Sequence, residues 1–334
     1  MAYPELEEVL RLVETGQRDA VVELISSVTE QQGVDLAVQL LAGVQIEVGH
    51  RWQTARWNVA DEHIATAIVD LALAVAITGV RTGSSPLGSI LLGCAEEEWH
   101  TTPARMMAAQ LEARGWAVTF LGASLPSDHL VGYLDRNPVN AVALSCTVPI
   151  HLLGAHRLIA AAHSAGVPVL AGGRAFGDRG VRATSVGADA WAATADDADR
   201  VLRTWRHSRP SLNRAIGADR SLALAANRPA MVDGSMETLA RRFPPLEHYT
   251  SDQLARTRED LEYIVRFLEA SVLTGDDDVI LDFIPWLVEC LEARGVPRRA
   301  LGLGLEALGE ITEPSHSDAH RLVSVALHAL SSIP

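Results

Sequence analysis

The chain is poor in cysteine, in aromatic residues and in positive charge, and it has no long uninterrupted apolar run. Three cysteines, Cys94, Cys146 and Cys290, stand far apart in 334 residues. An odd number without close spacing argues against both a zinc site and a disulfide framework, and it fits a reducing cytosol. Lys and Arg number 28 against 42 Asp and Glu, a formal charge of −14. A nucleic-acid partner requires a basic face that exchanges for counterions, so that class is excluded. The start, MAYPELEEVL, is acidic and lacks the basic, apolar-cored pattern of a signal peptide. The most apolar stretch, IATAIVDLALAVAITGV (64–80), is broken by Asp70 and falls short of a membrane span. A soluble, cytoplasmic protein with no membrane partner is expected. Apolar bulk, by contrast, is plentiful: 48% of residues are hydrophobic, enough for cores in two or three domains.

Three blocks follow one another. Residues 1–81 read as helix, with apolar residues at three- and four-residue intervals in 6–13, 19–28 and 34–49. Asn58 followed by Asp61 forms a capping-box-like start for a further helix over 59–79. Four helices with short links predict a small bundle. TGSSPLG (82–88) is a linker by composition. Residues 88–207 alternate apolar strand runs (89–95, 116–123, 140–148, 167–175 and 188–194) with helical stretches such as 103–115 and 152–166. This alternation predicts a parallel, doubly wound α/β sheet with right-handed crossovers. Residues 206–235 carry loop-like composition around a short apolar stretch, and the chain is helical again from about 236. Asp276–Asp278 offer N-cap chemistry there, and Gly295 with Pro297 marks a helix end. The third domain, 208–334, is expected to be all-helical.

The middle block places polar or glycine residues at three strand ends: Glu98 and His100, Ser145 and Thr147, and Gly172 with Gly173. In open α/β sheets, ligands bind at the carboxyl ends of strands. Paired glycines let a ligand approach the backbone closely. No GxGxxG motif opens the first helix, so this is not a dinucleotide fingerprint. Glu98-x-His100-x-x-Pro103, 41 residues, Ser145-x-Thr147, 24 residues, Gly172-Gly173 resembles the cobalamin-binding family, on a Rossmann-like domain. That likeness implies His100 as the lower axial ligand to cobalt, a role imidazole suits. It implies Glu98 as the group that orients the ring. Ser145, Thr147, Gly172 and Gly173 would house the displaced nucleotide tail. Pro103 departs from the family's glycine but suits the first turn of a helix.

Trp52, nine residues, then Glu62-His63 resembles the cap of light-sensing cobalamin regulators of the CarH type. There the tryptophan and glutamate embrace the adenosyl group of adenosylcobalamin. An indole face would shield a photolabile Co–C bond, and a carboxylate would accept ribose hydroxyls. The residue after the tryptophan is Gln53 rather than histidine, so His50 and His63 are the candidates for the upper cobalt position after light. Those regulators also carry a DNA-binding domain; with the sequence opening on the cap and acidic overall, light-controlled DNA binding is not expected.

In the last block Arg256, Asp260, Tyr263 and Phe267 share one helical face. Residues 247–310 resemble the latter half of a phycobiliprotein, through Tyr249-Thr250, the stretch around Asp260, Gly275 and Gly295-Val296-Pro297. The likeness implies a globin-like fold and a linear tetrapyrrole, biliverdin or a related bilin. Asp260 would accept the pyrrole N–H groups. Thr257 stands where the attachment cysteine would be, so the bilin would be non-covalent; Glu259 replaces the arginine that would hold a propionate, leaving Arg241, Arg242, Arg256 and Arg258 as candidates. Cys290 is expected in the core. Together the parts resemble the photocobilins, which implies a photoreceptor rather than an enzyme. Light would change conformation and homo-oligomeric assembly and so signal to an effector in another chain. The rival expectation is a corrinoid methyl carrier of a methyltransferase system, with the C-terminal helices as an interaction domain.

Overall fold

The computed structural model describes residues 4–78, 86–213, 218–312 and 316–333. The amino-terminal block folds as four helices, α1 (Pro4–Glu14), α2 (Arg18–Gln32), α3 (Val34–Gln53) and α4 (Val59–Thr78). Their apolar stripes close a core that includes Val9, Val21, Ile25, Leu41, Val44, Val69 and Leu73. The predicted cap forms: the Asn58 side chain accepts from the amides of Ala60 (2.7 Å) and Asp61 (3.1 Å), while Asp61 accepts from the Asn58 amide at 3.0 Å. Two otherwise orphaned donors at the start of α4 are thereby satisfied. Residues 82–85 of the expected linker lie outside the described residues.

Five parallel strands follow: β1 (Ser89–Cys94), β2 (Ala117–Phe120), β3 (Ala141–Ser145), β4 (Val169–Gly172) and β5 (Ala190–Ala192), in the order β2-β1-β3-β4-β5. Each is shorter than its apolar run, because flanking residues such as Trp116 are buried by helices without pairing in the ladder. Helices α5 (Thr102–Ala113) and α9 (Ala195–His207) cover one face, and α6 (Ser127–Arg136), α7 (Leu152–Ser164) and the short α8 (Val181–Ser185) cover the other. The register aligns Cys94 with Ser145, Ser145 with Gly172, and Gly172 with Ala192. One row across four strands therefore marks the carboxyl edge. The strand order reverses between β1 and β3, so the crevice at that edge lies at the switch point of the sheet.

The cap is seated on α5. Asp70 of α4 accepts from Thr102 (2.8 Å) and pairs with Arg105 (3.3 Å). Asp35 of α3 takes Gln110 at 2.7 Å and both terminal nitrogens of Arg114 at 3.0 and 2.9 Å.

The loop expected over 206–235 is largely a helix. After α9, α10 runs Ala218–Arg242, followed by α11 (Ser251–Thr274), α12 (Asp278–Glu292), α13 (Arg298–Thr312) and α14 (Ser317–Ser332). Pro229 lies within α10 but on its exposed side. An interior proline costs about 3 kcal/mol; burial of Leu224, Met231, Val232 and Leu239 against α11 and α13 opposes that cost. Thr250 and Gln253 form a capping box for α11, and Asp276 accepts from the Asp278 amide ahead of α12. Gly275 ends α11 with a positive φ of 67°, the conformation its missing side chain permits. The apolar core of this domain is continuous with the α6/α7 face of the sheet. Buried Arg182 of α8 reinforces the seam, donating to Asp276 at 2.7 Å and to the Ala175 carbonyl at 3.3 Å. Among the described residues no helix is long and apolar enough to cross a membrane.

Candidate functional site

His100 stands in the loop between β1 and α5, with its ring 60% exposed, while the Glu98 side chain beneath it is fully buried. The Glu98 carboxylate is saturated. One oxygen takes the His100 amide at 2.9 Å and ring Nδ1 at 2.6 Å; the other takes the amides of Thr147 (2.7 Å) and Val148 (3.1 Å). Burial pushes its pKa up, but the hydrogen bonds from His100 and Thr147 outweigh that and hold it at about 2. An ionised carboxylate only accepts, so Nδ1 carries the proton and Nε2 is the ring nitrogen left to a ligand. The hydrogen bond to Glu98 also raises the pKa of His100, against the opposing effect of burial. Among the described residues no group of three His, Cys, Asp or Glu is assembled for a metal ion, so His100 offers a single protein ligand.

Ser145 ends β3 and is buried; Thr147 follows, and its buried Oγ1 has no hydrogen-bond partner. Buried hydroxyls are normally satisfied, so this orphan marks a place for a ligand's polar group. Gly173 has φ +107° and ψ 164°, and a Cβ there would lie 2.2 Å from the Cys146 carbonyl oxygen. Only glycine lets the backbone pass here. Gly172 is looser, its added Cβ meeting the Ala192 carbonyl at 3.5 Å. A presented imidazole, an orphan hydroxyl and a glycine crossing at one edge fit a corrinoid with a displaced tail.

The cap brings Trp52, in the last turn of α3, and Glu62, in the first turn of α4, to the same end of the bundle. Glu62 binds neighbouring His63 at 2.5 Å and accepts from Thr66 at 2.8 Å. His50 is engaged by Arg56 at 3.0 Å. Trp52 makes contacts that the sequence did not announce. Its ring stacks on Trp286 of α12 (6.2 Å between centroids), and the Arg294 guanidinium lies 4.7 Å over it. Arg294 also donates to the Trp52 carbonyl at 2.9 Å. From Trp286 the aromatic stack continues through Phe283 (5.9 Å) to Phe267 (3.7 Å).

Phe267 is the buried end of the α11 face foreseen from sequence; Asp260 is half-buried, and Tyr263 (50% exposed) and Arg256 are exposed. Burial, with the charge of Glu259 adding and Arg256 opposing, pushes Asp260 up to about 6. Cys290 is buried, as expected of a core residue. Missed altogether was Arg266, the lone charge within YIVRFL on α11, which pairs across the domain seam with Glu97. A single cation inside an apolar helical run was the available signal.

Residues 88–203 match a family model described as the B12 binding domain, and residues 5–77 match a second model of the same description. A corrinoid protein of Desulfitobacterium hafniense (strain Y51) is 27% identical over 206 residues, covering 58% of this chain and 93% of the relative. The solved monomethylamine corrinoid protein of Methanosarcina barkeri shares the fold with a TM-score of 0.51 at 18% identity, over 59% of this chain and 96% of that one. The chain thus carries a B12-binding cap and a B12-binding Rossmann-like domain, and its C-terminal helices lie outside both matched segments. Both relatives are named as corrinoid proteins. They favour the carrier expectation over the light-sensing one.

Proposed function

We propose that this chain is a corrinoid methyl carrier serving a methyltransferase partner. The observation that carries its cobalamin part is the Glu98–His100 arrangement, a buried carboxylate that holds Nδ1 and leaves Nε2 of an exposed ring to a ligand; the corrinoid relatives favour the carrier part. When bound, cobalamin would supply a cobalt centre able to hold an alkyl group. His100 would ligate that centre from below, and Glu98 would keep the imidazole in the ligating tautomer. Thr147 and Gly173 would accommodate the tail, while the cap residues Trp52 and Glu62 would limit water and reagent access from above.

One observation favours a second reading, the adenosylcobalamin- and bilin-dependent photoreceptor. The Trp52–Trp286–Phe283–Phe267 stack links the cap to the helix face bearing Asp260 and Tyr263, as coupling between an upper cobalamin face and a second chromophore would require. Under it, biliverdin binds non-covalently at Asp260, and light changes homo-oligomeric assembly for an effector.

The test is reconstitution in darkness with methylcobalamin and with adenosylcobalamin, each with and without biliverdin. The carrier reading expects imidazole-ligated cobalamin that His100→Ala abolishes, methyl transfer to an acceptor thiol when a methyltransferase is added, and no change of mass on illumination. A red-shifted bilin band, with a light-dependent mass in the adenosylcobalamin sample, would instead establish the photoreceptor. Wild-type protein that binds neither corrinoid would overturn both.

A further inference from the structure

The cap and the α/β domain account for the upper and lower faces of a bound corrinoid, but the structure brings a third domain to the same loops. Helix α11 packs against the turn Pro149–His151. That turn follows directly on Thr147 and Val148, whose amides hold Glu98. From α11, Arg266 reaches across the seam to the carboxylate of Glu97, next but two to His100, and lies 3.5 Å from Nδ1 of His151. Glu97 is held with a positive φ of 66°, its amide donating to Ser124 at 3.0 Å. A non-glycine residue in that region marks local strain maintained by its surroundings.

Arg266 is not fully used by these contacts. Its Nε is buried and has no hydrogen-bond partner. Arg266 is part of the lining of a cavity of about 280 Å³ between the two domains, whose other polar lining residues include Glu97, His151, Arg157, Arg228 and Glu269. The cations there are already matched by anions: Arg157 by Glu96 at 2.5 Å, Arg228 by buried Glu269 at 2.7 Å, and Arg266 by Glu97. A free anion would face those carboxylates, and a free cation would face the guanidinium groups. The lining suits a neutral group that both donates and accepts, and a carboxamide does both. Carboxamide arms are what the edge of a corrin ring presents.

We infer that the C-terminal helical domain completes the cobalamin site, with Arg266, flanked by Glu97 and His151, receiving a carboxamide arm of the corrin through its free Nε–H. This rests on the cobalamin reading above and extends it to a domain outside the matched B12-binding segments.

The experiment measures dissociation constants of the full chain for methylcobalamin in darkness and for cobinamide, which keeps the ring arms but lacks the nucleotide tail. Arg266→Lys keeps the charge facing Glu97 but removes the Nε–H donor. It is expected to weaken both ligands about tenfold, the loss of one charge-assisted hydrogen bond, with the thermal midpoint unchanged. Glu97→Gln removes the ion pair and spares the donor, so it should weaken them less than threefold. Among the cobalamin monocarboxylates, one isomer should bind differently from the rest, and Arg266→Lys should erase that difference. Unchanged affinity in Arg266→Lys overturns the inference. So does an equal loss in Glu97→Gln, which would reduce Arg266 to an interdomain tie. Failure of the wild-type chain to bind either corrinoid would overturn the cobalamin reading itself.

Discussion

Replacing Glu98 by glutamine should cost lower-face ligation without disturbing shape, and the reason lies in which atoms can donate. In the native loop four hydrogens point at one carboxylate, from the Thr147 and Val148 amides on one oxygen and from the His100 amide and Nδ1 on the other. A glutamine has one acceptor oxygen and one NH2. The two strand-end amides cannot turn, so the oxygen must serve them and the NH2 must face His100. The imidazole then regains a hydrogen bond only by making Nδ1 the acceptor, which moves its proton to Nε2, the nitrogen that would hold cobalt on the proposed reading. The His100 amide, now at 2.9 Å from an acceptor, would face a donor instead, a loss of about 1–3 kcal/mol. Substitutions of residues that orient a metal-bound histidine typically weaken metal binding roughly 10–100-fold, or about 1.4–2.7 kcal/mol. The assay is titration of Glu98→Gln and Glu98→Ala with methylcobalamin, followed by electron paramagnetic resonance of the cobalt(II) form. The glutamine variant should lose the splitting from an axial nitrogen and bind at least tenfold more weakly. Alanine, which frees Nδ1 from any donor but opens a hole over two amides, should retain more ligation than glutamine. Native affinity and intact nitrogen splitting in Glu98→Gln would refute the tautomer argument.

Further consequences are equally open to measurement. Gly173→Ala places a Cβ against the Cys146 carbonyl in a glycine-only conformation and should cost about 3 kcal/mol or more, whereas Gly172→Ala should stay within about 1 kcal/mol; thermal melts of both variants check the contrast. Asp189, fully buried, binds Nε2 of His163 (2.8 Å) and the amides of Val169 and Asn213 (2.7 Å each). Burial pushes its pKa up, but these hydrogen bonds win and hold it below the ordinary 3.8, so its stabilisation is complete above that pH and drains away as pH falls through it. Asp189→Asn should lose about 1–3 kcal/mol near neutrality and flatten the acid limb of the urea midpoint below about pH 4. Asp260 runs the other way: with its pKa pushed up to about 6 by burial, its ionisation weakens the folded chain progressively from about pH 4 to 6. Asp260→Asn should therefore stabilise the apoprotein by about 1–3 kcal/mol at pH 7, and urea melts at pH 4 and 7 should show the gain only at the higher pH.

Local order was legible in the sequence wherever one chemical signal dominated. The Asn58–Asp61 cap, the strand-helix alternation and the Glu98–His100 pair each depend on residues close together in the chain. Residues 218–235 were misread because loop-like composition hid a helix held by burial against α11 and α13, information that lies elsewhere in the chain. Strand ends were overrun for a related reason: apolarity reports burial, and Trp116 is buried by helices rather than by ladder pairing. The contacts of Trp52 with Trp286 and Arg294, and of Arg266 with Glu97, join residues more than 160 positions apart. No periodicity reaches that far. Arg266 alone left a trace, as a charge within an apolar run.

One mechanical consequence follows from where the bundle is seated. The helix that starts beside His100, Thr102–Ala113, is 12 residues long, a rod of about 18 Å. The bundle grips this rod at both ends, through Asp70 on Thr102 and Arg105 and through Asp35 on Gln110 and Arg114. Whatever lifts or lowers His100 therefore pushes on the near end of a lever whose whole length carries the lid. A tilt of about 5° would carry the far end by roughly 1.5 Å on a rod of that length, enough to part the Asp35 contacts. On the proposed reading, a change in how strongly His100 is drawn toward a bound cobalt would be felt as movement of the bundle.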